Sequence, residues 1–393
     1  MTPTTEIATH ETPLPILKQT PVKALSFTKR LGFRQALNAR VEAFFAATGL
    51  PRRDVPQMYA KAVLHLVAYG LIYAAILWLG GRVHPLGVWA MYALWGFVIA
   101  GIGFNVMHDA IHGGFSDRPW INRVLGFSSE LLGVSSFVWR HKHNVWHHTY
   151  TNIAGLDEDL ETQGMLRMSP HEPWKLRFRW QHWYSPLVYA LTGFSFLLRD
   201  FRVFFTGRSS PWHVYPKMNV KERFIFMVGK AMFFSISLVL PLVMMPWWVA
   251  LIGWLVMLIV VSLILASIFQ LAHVMEHAEF PEPEGDPLHI ANEWAIHEVE
   301  TTVNFAPRNR FLNFYAGGLN YQIEHHLFPH ISHVHYPKIA PIVRAVCAEF
   351  GVKYHSYPRW RAALLAHWRT LRALGRSPDA IVTAPPLWSP SVE

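Results

Sequence analysis

The chain has 393 residues, is 52% hydrophobic, contains 17 Trp and carries a formal net charge of +9, a composition that excludes an intrinsically disordered protein. It has 23 His but a single Cys, Cys347, too few thiols for a disulfide framework, a cysteine-based zinc module or a thiol-ligated iron–sulfur cluster. The residues available for metal or proton chemistry are therefore imidazoles.

The first predicted elements are long apolar runs. The segment before residue 57 has scattered Lys, Arg, Pro and Thr but no apolar core, so it is not a secretory signal. Four runs then follow that can each cross a hydrocarbon core of roughly 30 Å as a helix. They cover residues 62–79, 86–107, 224–245 and 247–269. Because short links join the first to the second and the third to the fourth, we expect two transmembrane hairpins.

Basic residues orient these hairpins. Among the Lys and Arg residues, only Arg82 lies in a hairpin tip and only Lys230 lies inside a span, near enough to its start for the amine to reach the headgroups. The positive-inside rule then places all three remaining segments in the cytoplasm. This distribution explains the net charge without nucleic acid. It predicts an all-α integral membrane protein with four transmembrane helices and a cytoplasmic helical cap.

The predicted organisation divides the chain into five parts. Residues 1–56 form a cytoplasmic segment, 57–107 the first hairpin, 108–222 the first part of the cap, 223–272 the second hairpin, and 273–393 the rest of the cap with a loose C-terminal tail. Two weaker apolar stretches, 126–139 and 183–198, are too short or too interrupted to span. We expect both to be helices that lie in the membrane interface.

Histidine clusters begin where the second span ends. The run HDAIH carries His108 and His112, HKHNVWHH carries His143, His147 and His148, QIEHH carries His325 and His326, and His273 follows the fourth span. Helical residues four apart share a face, so His108 with His112, and His143 with His147, can each point at one metal. Adjacent residues diverge by roughly 100° around a helix, so His325 and His326 suit two neighbouring ions. One such pair often arises by chance, but three clusters on one side of a membrane favour a site for two metals.

Other metal chemistries lack their motifs. Imidazole suits Zn, Fe, Cu and Ni, so the ligand type leaves the metal open. A zinc protease needs HExxH, but His297 and Glu298 are followed by Thr301 where the second His would stand. The chain also has no Glu-x-x-His pair of the kind that carboxylate di-iron bundles use. An all-nitrogen site for two metals at the cytoplasmic face remains, placed to act on a molecule dissolved in the bilayer.

The three motifs HDAIH, HNVWHH and QIEHH, with the paired hairpins, resemble the membrane fatty acid desaturases. The runs WRHKHNVWHHTYTNI and NYQIEHHLFPHISHVHYPKIAPIV resemble the front-end, or linoleoyl-CoA, branch, and the likeness covers residues 55–365. It implies two iron ions, with O2 and two electrons removing two hydrogens from an acyl chain carried by CoA or a phospholipid. It also implies a bacterial cytoplasmic membrane, a cytoplasmic active site, and no catalytic residue separate from the metal site.

The resemblance assigns roles to individual residues. The iron ligands would be His108, His112, His143, His147, His148, His273, His325 and His326. Gln322 stands where many relatives have a further His, and its amide oxygen would either bind iron weakly or hold a water against it. Asp109 and Glu324, with His297, are expected to orient imidazole N–H groups.

One departure concerns the electron supply. No run matches the HPGG haem motif of a fused cytochrome b5 domain, since HPLG at residues 84–87 lies in a hairpin tip. We therefore expect a separate ferredoxin, flavodoxin or cytochrome b5-type donor with its reductase. Two alternatives stay open: a di-iron hydroxylase or ketolase acting on an alkane, lipid or carotenoid, and a histidine-rich membrane metal transporter. The run QIEHHLFP favours the desaturase.

Overall fold

The structure is a computed structural model that describes residues 25–29, 32–211 and 213–377. It is mostly helical, and four of its helices are long and apolar enough to cross a membrane. These are Pro56–Leu79, Pro85–His112, Val220–Met244 and Trp247–His273. The four predicted apolar runs are thus confirmed as helices. The tail predicted after residue 377 lies outside the described residues.

Prolines and local caps set the ends of these helices. Helix α1 is Phe33–Thr48, α2 is Pro56–Leu79 and α3 is Pro85–Ile102, and both α2 and α3 begin with the proline that suits a first turn. A π-helical segment, Gly103–Met107, continues α3 into α4, His108–His112. The second long helix therefore carries the first histidine motif on its last turn.

The third long helix is interrupted. It consists of α11 (Val220–Phe234), a π segment (Ser235–Val239) and α12 (Leu240–Met244), and Asn219 caps its start together with Glu222. Pro241 lacks the N–H that a regular helix needs, which accounts for the irregular turn before it. After Pro246, α13 runs without interruption over Trp247–His273.

The long helices pack through small residues. Helix α3 packs chiefly against α13 and then against α2. Gly96 faces the backbone of Met257, and Gly253 faces the ring of Tyr92, so a side chain at either glycine would separate α3 from α13. Tyr92 and Trp95 are fully buried in this core. Close packing at this interface fixes where the ends of α3 and α13 meet.

Lys230 does not reach toward the headgroups. Its side chain is buried, and its amine donates to a carboxylate oxygen of Asp200 and to the carbonyl oxygen of Gly133, each at 2.6 Å. The expectation from the sequence was wrong because the cap offers this amine an anionic partner inside the protein. The ion pair ties α11 to the cap.

The cap consists of short helices and turns between the long ones. In chain order these are α5 (Pro119–Gly126), α6 (Ser128–Leu131), α7 (Ser136–Trp139), a π segment (Arg140–His147), α8 (His148–Tyr150), 3-10 turns at Glu158–Leu160 and Leu176–Trp180, α9 (Gln181–Tyr189) and α10 (Thr192–Thr206). The stretch 126–139 is not the single helix predicted. Glu130 is buried and accepts hydrogen bonds from the backbone N–H and hydroxyl of Ser136, which folds the chain back at Gly133.

The remaining elements follow α13. They are α14 (Trp294–Glu300), α15 (Arg310–Tyr315), α16 (Gln322–Leu327), a 3-10 turn (His333–His335), α17 (Tyr336–Phe350) and α18 (Trp360–Leu374). Two small parallel sheets join distant segments: β1 (Ser26–Phe27) pairs with β2 (His289–Ile290), and β3 (Asn304–Phe305) pairs with β4 (Ser356–Tyr357). An apolar core packs the end of α13 against α15 and α18, which holds the cap on the long helices.

Candidate metal centre

The structure brings together all eight histidines named from the sequence. Their side chains are only 0–6% exposed. They form three overlapping groups in which one nitrogen from each residue lies within 4.8 Å of the others. The first group is His108, His112, His143 and His325, the second is His147, His273 and His326, and the third is His148, His325 and His326. The arrangement offers two neighbouring positions for a metal ion, with His148 between them.

The third histidine motif divides as an adjacent helical pair should. His325 and His326 are neighbours on α16, and their ring planes lie 84° apart. His325 joins the first group and His326 joins the second. This matches the expectation that adjacent imidazoles diverge around a helix.

The second motif is arranged differently from the prediction. His143 and His147 lie in a π-helical segment, with their rings stacked at 16° and centroids 5.2 Å apart. Among the described residues, the one candidate metal group that contains both histidines is completed by Asp159. In the groups made only of histidines, His143 belongs to the first and His147 to the second. Both positions thus receive a ligand from the same segment.

Several nitrogens in the cluster lack a hydrogen-bond partner within the described residues. They are Nδ1 of His108, His143 and His273, Nε2 of His112 and His325, and both ring nitrogens of His148. The Nε2 atoms of His108 and His143 are 3.1 Å apart. Two nitrogens that bind one ion at about 2.1 Å are about 3 Å apart at a right angle. Buried nitrogens at this spacing fit metal ligands better than a hydrogen-bonded core.

Burial keeps four imidazoles of the cluster neutral. Removal from water, followed by the proximity of other imidazoles, holds the pKa of His143, His148, His325 and His326 well below the usual value. A neutral imidazole has the free lone pair that a metal needs. The electrostatic environment therefore suits cation binding and disfavours protonation of the ligands.

Carboxylates orient two imidazoles of the second group. Asp157 lies with both oxygens 3.1 Å from Nδ1 of His147, and Glu298 lies 2.6 Å from Nδ1 of His326. Each carboxylate can accept a hydrogen bond from the Nδ1–H group, which leaves Nε2 free to bind a metal. Neither Asp157 nor Glu298 was predicted for this role from the sequence. The acidic run LDEDLE shortly after the second motif was the available signal for Asp157.

Of the carboxylates predicted for this role, Asp109 lies beside imidazoles and Glu324 does not. Asp109 is 2.9 Å from Nδ1 of His333 and 3.6 Å from Nδ1 of His108. Glu324 instead accepts hydrogen bonds from Asn304 at 2.7 Å and from the Tyr354 hydroxyl at 2.9 Å. The prediction for Glu324 was wrong, because the side chain leaves α16 in another direction from the histidines. It supports the packing beneath them.

His297 also differs from its predicted role. Its ring packs 5.2 Å from the ring of Phe27, and its Nε2 has no hydrogen-bond partner within the described residues. Burial lowers the pKa of His297 to about 4, so this imidazole is neutral. The Thr151 backbone and Asp157 both raise its pKa, against the larger effect of burial. Among the described residues, no hydrogen bond joins its ring to a predicted metal ligand.

Asn152 links the second motif to the end of α13. Its backbone is left-handed, with φ at 59°, a conformation that Asn tolerates better than most residues. Its side-chain amide donates to the carbonyl oxygens of His273, Glu279 and Thr301. This buried residue, which the sequence analysis missed, holds His273 against the motif that carries His147.

Gln322 lies on the second group. Its amide nitrogen is 2.9 Å from Nε2 of His273 and 3.2 Å from Nε2 of His326, and its amide oxygen has no hydrogen-bond partner within the described residues. The side chain therefore reaches the nitrogens that would face an ion. Direct binding of iron and binding through water both stay predictions.

An apolar cavity reaches the cluster at His108. Trp139, Phe196, Leu265 and Phe269 contribute to its wall, which contains almost no polar surface. Such a lining suits a hydrocarbon chain and excludes water from the histidines. An apolar ligand in this cavity would lie beside His108, a candidate metal ligand.

Known proteins are similar to this chain in sequence. The family model described as fatty acid desaturase matches residues 84–358, a range that includes all the histidine motifs. The chain is 38% identical over 357 residues to the sn-1 linoleoyl-lipid 6-desaturase of Arthrospira platensis, covering 90% of this chain and 96% of that protein. It is 38% identical to the sn-1 linoleoyl-lipid 6-desaturase of Synechocystis sp., covering 90% and 98%. It is 35% identical to the acyl-lipid (8-3)-desaturase of Physcomitrium patens, covering 87% and 72%.

Proposed function

The chain belongs to the fatty acid desaturase family, and on that premise we propose that it inserts a cis double bond into the acyl chain of a membrane lipid, on the carboxyl side of an existing double bond. The relatives named above act on linoleoyl-lipid and acyl-lipid, which supports a lipid-linked substrate over acyl-CoA. The hydroxylase, ketolase and transporter alternatives are not favoured by these relatives.

The observation that carries this proposal is the apolar cavity against His108. A methylene pair has no acidic proton, so the protein contributes position and exclusion of water. The aromatic wall of Trp139, Phe196 and Phe269 would hold the chain beside the histidines. The chemistry that a bound iron pair supplies is oxidation of unactivated C–H bonds by O2 with two added electrons.

The donor set fits two iron ions. We assign His108, His112, His143 and His325 to one ion and His147, His273 and His326 to the other, with His148 between them and Gln322 on the second. Asp157 and Glu298 keep the proton of their histidines on Nδ1. Imidazole also accepts zinc, so metal analysis of the purified protein must find iron.

The test of activity is the lipid profile of a bacterial host that expresses the chain with a ferredoxin and its reductase and receives linoleate. We expect a new double bond between the carboxyl group and the existing ones, located by mass spectrometry of derivatised lipids. A His326→Ala variant, matched for expression and melting temperature, should give none. Hydroxylated lipid instead, or a purified protein with zinc and no iron, would contradict the proposal.

The proposed topology is two hairpins in the bacterial cytoplasmic membrane, with the cap in the cytoplasm. Its test uses the fact that the one native cysteine, Cys347, is buried. A membrane-impermeant maleimide added to intact spheroplasts should label Val83→Cys, in the first hairpin tip, and leave Lys353→Cys unlabelled. Both positions are exposed, at 40% and 65%. The reverse pattern would refute the orientation.

A further inference from the structure

One aromatic side chain connects the protein surface with the histidine cluster. Trp294, the first residue of α14, is half-buried, and its indole N–H donates to the backbone carbonyl oxygen of His148 at 3.1 Å. His148 stands between the two candidate metal positions. A single hydrogen bond therefore separates a surface tryptophan from a residue assigned to bind iron.

Trp294 forms part of an open surface groove between β1 and the first turns of α1. We define the Trp294 groove as the surface lined by Lys29, Arg34, Gln35, Asn38 and Trp294. Lys29, Arg34, Gln35 and Asn38 are all exposed. The Arg34 guanidinium lies over the indole, 4.8 Å from its centroid.

The charge at the mouth of this groove is positive. Glu293 also borders the groove, but it is 7% exposed, and one of its oxygens accepts the backbone N–H of Arg34. Among the described lining residues, the charged side chains that face solvent are therefore Lys29 and Arg34. A cationic rim attracts an acidic partner and speeds its approach.

We propose that the Trp294 groove docks a small acidic one-electron carrier protein of the iron–sulfur class, and that Trp294 is the route by which its electrons reach the metal centre. The inference rests on the proposed function, since desaturation needs a supply of electrons. Forming the alkene releases two electrons and two protons from the acyl chain. Reduction of one O2 to two waters takes four of each. Two carrier molecules supply the missing electrons, each losing one, and two protons come from solvent.

The contact geometry suits this task. The path from the indole runs through one N–H···O hydrogen bond to the His148 carbonyl and then along that residue to its imidazole. A carrier seated over Arg34 and Lys29 would bring its redox group near the indole, with the Arg34 guanidinium between them. Small, weakly held interfaces are usual for redox partners, which must dissociate after each transfer.

The experiment uses the full iron-loaded chain in lipid nanodiscs and a reduced plant-type [2Fe–2S] ferredoxin as the probe. Anaerobic stopped-flow absorbance follows reduction of the iron centre by ferredoxin and, separately, by dithionite. For Trp294→Phe, we expect the ratio of the ferredoxin rate to the dithionite rate to fall about tenfold, while ferredoxin binding stays within twofold of the wild type. An equal effect on both rates would mean that Trp294 is only structural, and would overturn the route.

Docking is tested by charge reversal and by direct binding. The double variant Lys29→Glu with Arg34→Glu should bind ferredoxin about tenfold more weakly than the wild type at low salt. Added salt should reduce this difference in affinity between variant and wild type. Arg123→Glu with Arg140→Glu is the matched control, because these exposed cations line a different groove of the cap. If ferredoxin binding weakens in the Arg123→Glu, Arg140→Glu variant and not in the Lys29→Glu, Arg34→Glu variant, the proposed docking site is refuted.

Failure of the proposed function gives a distinct result. A wild-type chain that binds no iron would refute the metal centre and the route together. A chain that holds iron and makes the new double bond, but is reduced by ferredoxin equally well with Trp294 or Phe at this position, would refute the route alone. Wild-type protein that dithionite reduces and ferredoxin does not would refute docking of an acidic iron–sulfur carrier.

Discussion

Replacing Asp157 by Asn tests how far a carboxylate supports the second metal position. Asp157 is 1% exposed. Its two oxygens accept hydrogen bonds from Nδ1 of His147 at 3.1 Å and from the backbone N–H groups of Asn152 and Asp159 at 2.9 Å each. Asn offers one oxygen and adds an amide that can only donate. At least one buried N–H would then lose its acceptor, which costs about 1–3 kcal/mol.

The same change should weaken metal binding. Loss of the partner that orients a ligating histidine typically lowers metal affinity about 10- to 100-fold, which is about 1.4–2.7 kcal/mol. Because His147 belongs to the second group, we expect Asp157→Asn to make iron release to a chelator biphasic, with the second ion leaving first.

The assay is iron content against chelator concentration, by mass spectrometry of the protein purified in detergent. Asp117→Asn is the matched control, since the Asp117 side chain is 61% exposed and pairs with Arg53. Its release curve should match the wild type, as surface ion pairs contribute little. If Asp157→Asn also matches the wild type, Asp157 does not support a metal ligand, and the reasoning that links this carboxylate to the second ion is refuted.

Three further predictions use other parts of the site. Lys61→Met removes a buried amine 2.6 Å from Nε2 of His333 and should lower the free energy of unfolding by about 1–3 kcal/mol. Lys353→Met, which removes an exposed ion pair with Glu279, should change the melting temperature little. Equal melting temperatures of the two variants would contradict this prediction. Leu132→Trp should fill the apolar cavity and abolish desaturation with iron retained, and iron loss would show that the change acts on the cluster instead. For the metal-free chain, burial holds the pKa of His143 and of His325 below that of unfolded histidine, so the unfolded state takes up protons at these residues first. The free energy of unfolding should therefore fall as pH drops below about 6.5, by up to about 1.4 kcal/mol per pH unit for each such histidine, and a melting temperature unchanged between pH 7.5 and 5.5 would refute this.

The long helices were predictable because hydrophobicity over about 20 residues is a local property of the chain. The irregular segments and the contacts between distant parts of the chain were not. The π segment at Arg140–His147 has no apolar periodicity that distinguishes it from an ordinary helix, yet it decides how His143 and His147 separate. The burial of Lys230 depends on Asp200, thirty positions earlier, which is a contact made only by the folded cap.

The clustering of the histidines was predictable, and so was Asp109 beside His108, but Asp157 and Glu298 were not. The motifs mark the imidazoles at short spacing, whereas Glu298 reaches His326 from a separate helix, 28 positions away. Glu324 shows the opposite case, since it is adjacent to His325 in sequence but its carboxylate contacts Asn304 and Tyr354 and no imidazole among the described residues. Residues one or two apart on a helix lie about 100° and 200° around its axis, so Glu324 could not share a face with His325 or His326. Burial there raises the pKa of Glu324 to about 7.

The two metal positions differ in the donors they offer, and this difference connects Gln322 with Asp157. The first group has four imidazoles, while the second has three, and the amide of Gln322 lies beside two of them. An amide is a weaker donor to iron than an imidazole. The second ion therefore depends more on the carboxylates behind its histidines, which are Asp157 for His147 and Glu298 for His326. On this reasoning Gln322→His should slow release of the second ion and offset part of the loss caused by Asp157→Asn, whereas a Gln322 that only packs against His273 would give no such compensation.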